Sequence, residues 1–278
     1  SAALEGILGS GFQSLVHRLE NSLKYALLAV VATVLLIGGF IQYGIPALAK
    51  MVAFSLPRET ELLIGGETLE LLERFYFDPS EVTGERQQQL QRQFESVVAD
   101  IDPSQSYRLQ FRASEKLGAN ALALPGNTVV VTDRLVGLIE DDLEFDTVMA
   151  HEIGHLQQRH ALRHALQSLG TGLVVIAITG DVTSITSVAA ALPTALVEAG
   201  FSRDMEREAD DSAARWLKLR GLPVSLFAGF LQRLEADHYK KHPELKEQTQ
   251  QGVGDYFSTH PATKERIARL EAQEELPL

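Results

Sequence analysis

Apolar residues crowd into two dense zones of the chain and elsewhere recur at the spacings of amphipathic elements. The first zone, 25–49, reads YALLAVVATVLLIGGFIQYGIPALA, and no charge falls between Lys24 and Lys50. As a helix, such a run rises about 37 Å, more than the roughly 30 Å of a hydrocarbon core. Tyr25 and Tyr43 stand near its ends, where amphipathic rings favour the membrane interface. The pattern predicts one uncleaved transmembrane helix, over about 24–49, in an N-terminal segment 1–57, with a second domain over 58–278. Two other readings are a cleaved signal sequence ending at Ala47-Leu48-Ala49 and a buried core helix. Arg18 and Lys24 on one side balance Lys50 and Arg58 on the other, so the charge rule assigns no orientation.

Beyond Pro57 the pattern turns polar. Apolar positions three and four apart predict helices over Glu59–Phe77 and Glu81–Asp100. SYRLQFRAS, 106–114, alternates as a half-buried strand does. NALALPGNTVVVT, 120–132, reads as two strands joined at Pro125-Gly126-Asn127. Asp133 is expected to cap a short helix, and Asp141 or Asp142 a longer one. The second apolar zone, 166–200, is broken by Gly170, Gly172, Gly180 and Pro193, and its uncharged run from Leu166 to Gly180 is short for a membrane helix. Core or hairpin helices are expected there, with a membrane-dipping segment as the other reading. Helices resume near Arg203. Together these elements predict an α+β chain, mainly helical with a small β-sheet, preceded by one transmembrane helix.

Composition narrows the function. A net charge of −12 and the lack of any basic run exclude a nucleic-acid partner, which would need clustered Lys and Arg. There is no cysteine, so a metal site must be built from His and carboxylates. A first residue of Ser rather than Met is expected of a processed or engineered fragment.

MAHEIGHLQQRH, 149–160, is where chemistry concentrates. On a helix, positions i and i+4 differ by about 40°, so His151 and His155 present their imidazoles together. Glu152 is adjacent and can reach a water held between them, giving two metal ligands and a general base. The plain alternative is a solvated helix rich in histidine. His160 and His164 lie about 180° and 220° around a continued helix, and are read as solvated or supporting residues. A catalytic zinc needs a third protein ligand. FSRDMEREADDSAARWL, 201–217, supplies acids: Glu206 and Asp210 share a face, while Glu208 points about 160° from Asp210 and is read as exposed. One acid of the pair can ligate and the other can orient a histidine or a substrate group. His17, His238 and His242 carry no partners in sequence and are read as solvated.

NALALPG, HEIGHLQQRH, SRDMEREAD and HPATKERIARL occur in that order. In this the chain resembles the HtpX-like and CAAX-prenyl-protease-like membrane-associated zinc metallopeptidases, including the periplasmic BepA-like group, over about 105–270. The chain departs from the family at Gly126-Asn127, where Gly-Gly is common, though Asn also tolerates positive φ. The resemblance implies Zn²⁺ held by His151, His155 and Glu206, with Glu152 as catalytic base and Asp210 as a partly buried acid often assigned as proton donor. The residues alone read His260, a histidine before Pro at a helix start, as structural, whereas the resemblance places it near the zinc, as an oxyanion donor or as the group that fills the open position in a latent form. Arg203 and Arg266 resemble arginines that tie these segments together. The implied activity is endopeptidase cleavage of envelope or misfolded proteins at the bacterial inner membrane. The protein would be single-pass, held by lipid around its anchor, with the catalytic domain in the periplasm. Substrate would add as a strand near Asn120–Leu124. The other functions weighed are an envelope chaperone or assembly factor with latent proteolysis, and a non-enzymatic membrane scaffold.

Overall fold

The computed structural model describes residues 23–179, 200–241, 259–260 and 264–274. His17 and His242 lie outside the described residues, as do residues 180–199 of the second apolar zone and the side chain of His238. The chain divides into two compact units, residues 1–50 and residues 51–278.

From the first unit, α1 (Leu23–Gly39) runs through a π-helical turn, Phe40–Gly44, into α2 (Ile45–Ser55), whose last five residues belong to the second. Pro46 has no N–H to offer the preceding turn, and the Ile45 N–H bonds Phe40 O instead, five residues back. Leu27, Leu28, Val34, Leu35 and Leu36 are exposed, as suits a helix that is apolar all round. Lys24–Ser55 is long and apolar enough to cross a membrane.

The second unit is a small sheet set among helices. Its elements are α3 (Arg58–Phe75), β1 (Asp78–Pro79), α4 (Gly84–Ile101), β2 (Arg108–Ala113), β3 (Ala121–Leu124) and β4 (Thr128–Thr132). There follow α5 (Asp133–Leu138), α6 (Asp142–Gln157), α7 (His160–Thr179), α8 (Arg203–Leu219), α9 (Ser225–Lys241) and α10 (Lys264–Gln273). The α+β expectation holds. The strand order is β1-β2-β4-β3, with β2 and β4 parallel and the other pairs antiparallel, so β3 is an edge strand. The β3–β4 turn takes positive φ at Gly126 (77°) and at Asn127 (60°).

Alternation along β4 divides its valines between two cores. Val129 and Val131 join Phe111, Phe145, Met149, Trp216 and Phe230. Val130 faces the other way, onto Leu72, Phe77, Leu122 and Leu124. Each such side chain contributes about 1.5–3 kcal/mol on full burial.

Two local expectations are corrected. Thr132, not Asp133, caps α5, accepting from the Leu135 N–H. The Asp133 carboxylate instead accepts from Ser80 Oγ and the Glu81 N–H, each at 2.6 Å, which fastens the start of α4 to the sheet. Nor do Gly170 and Gly172 break the second apolar zone, for α7 runs unbroken from His160 to Thr179. A glycine costs a helix only about 1 kcal/mol, which its apolar neighbours can offset. Because this helix begins before the uncharged run, His160–Ile178 is also long and apolar enough to cross a membrane.

Candidate metal centre

Helix α6 begins with a capping box: the Asp141 side chain accepts from the first turn and Glu144 reaches back to the Asp141 N–H. From Thr147 to Leu156 every residue is buried. This is a central helix, and the reading of a solvated, histidine-rich surface is excluded. Burying two imidazoles and a carboxyl is costly unless each finds partners. What surrounds them therefore defines the site.

His151 Nε2 and His155 Nε2 stand 3.0 Å apart. From α8, Glu206 places Oε1 3.4 Å from His155 Nε2 and Oε2 3.7 Å from His151 Nε2. His260 Nδ1 lies 3.3 Å from His151 Nε2 and 3.2 Å from Glu206 Oε1. These four residues are buried, and one ligand atom from each falls within 4.8 Å of the others. Glu152 is also fully buried; among the described residues neither of its oxygens accepts a hydrogen bond, and Oε1 lies 3.5 Å from His260 Nε2. Lone pairs converging on one point, beside an unbonded carboxyl, fit a cation and a water rather than a packed core. Without cysteine, the donor set is nitrogen and oxygen.

Helix α8 reaches α6 because Gly154 is bare. A Cβ there would stand 2.8 Å from Ser212 Cβ and 3.0 Å from Ala209 Cα. Ser202 caps α8 at the Met205 N–H, which fixes Glu206 in its first turn. One turn on, Asp210 Oδ1 lies 3.1 Å from His151 Nδ1, close but not aligned as a hydrogen bond. Arg266 of α10, itself buried, grips Asp210 with Nε at 2.8 Å and Nη2 at 2.7 Å, and its Nη1 lies 2.6 Å from Glu206 Oε2. Arg203 is different: it stands at the surface, 3.8 Å from Glu265.

Besides the arginines that hold them, three participants, His160, Glu208 and Phe201, are absent from the sequence reading or misplaced in it. Helix α6 stops at Gln157, and Arg159 takes a left-handed φ of 51°. The guanidinium holds that turn in place, donating to Ala53 O and Leu56 O and pairing with Glu61 at 3.1 Å. The chain thus folds back, and His160 is buried with Nδ1 2.9 Å from His155 Nδ1. Its Nε2 meets Glu208 Oε2 at 2.8 Å, and Arg163 Nη1 holds the same oxygen at 2.6 Å. The expectations of a His160 turned away and an exposed Glu208 are both corrected. The third participant, Phe201, lies against His155 with ring centroids 4.3 Å apart, and its N–H bonds Thr259 O at 2.9 Å. No sequence signal marked it.

Electrostatics separates the two glutamates. Burial pushes the Glu152 carboxyl up, against the pull of His260 and His151. Burial also works to raise Glu206, but Arg266 and His260 hold it well below the usual carboxylate range. Desolvation lowers His155 well below the usual imidazole range. For His260 burial acts downward, yet Glu152 and Glu206 raise it.

Residues 84–274 match the description Peptidase family M48. The chain belongs to peptidase family M48. It is 31% identical over 176 residues to a Protease HtpX homolog of Pyrococcus abyssi, covering 52% of this chain and 60% of that protein. Metalloprotease LoiP of Escherichia coli is 32% identical over 156 residues, 54% of this chain and 57% of LoiP. Mitochondrial metalloendopeptidase OMA1 of Arabidopsis thaliana is 30% identical over 151 residues, 54% of this chain and 28% of OMA1. The chain thus spans less than two thirds of the length of these curated relatives. Every residue of the buried cluster lies inside the M48 match, and so do His160, Glu208 and Arg163.

Proposed function

We propose that this M48 chain is a membrane-anchored, zinc-dependent endopeptidase. The observation that carries the reading is the convergence of His151, His155, Glu206 and His260 beside the unbonded Glu152 carboxyl. Four bonds of about 2.0–2.1 Å in a tetrahedron set neighbouring ligand atoms roughly 3.3 Å apart. The separations here, 3.0 Å between the two Nε2 atoms and 3.4 Å from His155 to Glu206, support that ion.

Bound there, zinc would acidify a water and polarise a substrate carbonyl. Glu152 takes the proton of the attacking water and delivers it to the leaving amine. Glu206 and the two histidines hold the ion, and Asp210, clamped by Arg266, orients His151. Substrate backbone adds along the edge of β3, at Asn120–Leu124, on whose other side β4 is paired. Lys24–Ser55 supports a lipid anchor. We place the protein in a bacterial inner membrane, single-pass with a periplasmic catalytic domain, acting on envelope or misfolded proteins.

A second reading, an envelope chaperone or assembly factor with latent proteolysis, is favoured by one contact. His260 Nε2 approaches Ala121 O at 3.3 Å, and its Nδ1 stands among the ligand atoms. In that pose His260 engages both the fourth ligand position and a carbonyl of the β3 edge.

Elemental analysis of the purified chain and cleavage of casein test these readings together. The endopeptidase requires about one zinc per chain and cleavage that chelation abolishes and zinc restores. If His260 is a transition-state donor, His260→Ala lowers turnover about 10²–10³-fold; if it is the latent ligand, the same variant raises basal cleavage. A chain without stoichiometric zinc contradicts both readings and leaves a scaffold.

A further inference from the structure

Helix α8 carries four acids spaced two apart, Asp204, Glu206, Glu208 and Asp210, and the scheme above uses only Glu206 and Asp210. Glu208 and His160 have no place in it, yet they form an unbroken line to a proposed zinc ligand.

The partners dictate where the protons sit. An ionised carboxylate only accepts, so at 2.8 Å from Glu208 Oε2 the Nε2 of His160 is the donor. In the neutral ring Nδ1 is then a lone pair. It lies 2.9 Å from His155 Nδ1, which must therefore carry the second hydrogen. That leaves the His155 Nε2 lone pair directed at Glu206 Oε1 and His151 Nε2, where ligation needs it. The opposite order would put an N–H on His155 Nε2, facing the other histidine at 3.0 Å. Both ends of the line are fixed. Arg163 holds the Glu208 oxygen, and the left-handed turn at Arg159 returns His160 to the end of α6.

We propose that His160 and Glu208 are positioning residues for the metal centre. They fix the tautomer and ring orientation of His155 through a His155–His160–Glu208 relay. Asp210 stands in the corresponding place behind His151, 3.1 Å from its Nδ1 though not aligned as a hydrogen bond. One helix thus supplies a ligand, Glu206, and the carboxylates that end both histidine lines. The inference rests on reading the buried cluster as a metal centre.

The test is the zinc dissociation constant of the full chain in detergent, measured by competition with a chromophoric chelator, together with thermal unfolding of the metal-free form. Glu208→Ala removes the acceptor and weakens zinc by about tenfold or more, as outer partners of metal-bound histidines do. Glu208→Gln keeps an oxygen for the His160 N–H while losing the charge that pairs with Arg163, and retains affinity within about threefold. His160→Phe keeps an aromatic ring but has no nitrogen, and loses about 10–100-fold. The metal-free form of Glu208→Gln unfolds close to the native chain and that of Glu208→Ala, which strips buried Arg163 of its carboxylate, at lower temperature, so affinities are compared where both are folded. Should His160→Phe not fold, the contrast between the two Glu208 variants carries the test. Equal losses in Ala and Gln would overturn the relay and leave an ion pair with Arg163; unchanged affinity in Glu208→Ala would overturn it outright. Failure of the native chain to bind zinc would instead overturn the metal-centre reading, and the relay with it.

Discussion

Asp210 Oδ1 lies 3.1 Å from His151 Nδ1, on the opposite side of the imidazole from the Nε2 that faces Glu206. A carboxylate behind a metal-binding histidine fixes its tautomer and raises its basicity. Asp210→Asn should therefore weaken zinc binding about 10–100-fold. Glu206→Ala, which deletes a proposed ligand, should abolish stoichiometric binding altogether. Chelator competition on both variants checks the order, and a tighter site in Glu206→Ala than in Asp210→Asn would reverse the assignment.

Much of this arrangement was legible beforehand, and where it was not the reason is geometric. His151, His155, Glu206 and Asp210 each sit on one regular helix, where spacing converts directly to facing. His160 did not, because the rotation assigned to it assumed that α6 continues. Neither glycine nor proline marks the stop: Arg159 adopts φ 51° with its guanidinium tied to Ala53 O, Leu56 O and Glu61. The angle between Glu208 and Asp210 reads Glu208 as exposed, but an angle on one helix does not reveal which neighbour packs on the other side. His160, Arg163 and Glu208 meet only through tertiary contact. The same holds for Asp133, whose partners Ser80 and Glu81 lie over fifty positions away.

Asp146 gives a pH signature. Burial raises its carboxyl from the ordinary 3.8 to about 6, with Asp142, Asp100 and Asp141 adding repulsion and Arg220 opposing. The folded state thus binds this proton more tightly than the unfolded one, so stability falls as pH rises from about 4 to about 6, and the loss is complete above that. Asp146 is half-buried, and screening cuts the nominal two-unit effect to about 1 kcal/mol. Asp146→Asn should stabilise the chain by about that amount at pH 7 and not at pH 4. Denaturant unfolding at both values decides, and an equal difference at each would contradict the assignment.

Gly154→Ala sets two effects against each other. Alanine gains about 1 kcal/mol of helix propensity. Its Cβ would stand 3.0 Å from Ala209 Cα, a backbone atom that cannot swing aside, and overpacking of this kind costs about 1–3 kcal/mol. Separating α6 from α8 also pulls Glu206 from the two histidines. Lower thermal stability together with weaker zinc binding is expected; a more stable chain with unchanged affinity would show that the helices have slack.

The most direct measurement is peptide hydrolysis by Glu152→Gln, with zinc content and thermal unfolding followed in parallel. Glutamine is nearly isosteric and enters a site where, among the described residues, neither carboxyl oxygen accepts a hydrogen bond, so fold and metal content should persist. It cannot take the water's proton, so the chemical step should fail. Full zinc, a native melting curve and activity below about one per cent of native are expected. Substantial hydrolysis by a zinc-loaded, folded Glu152→Gln would contradict it.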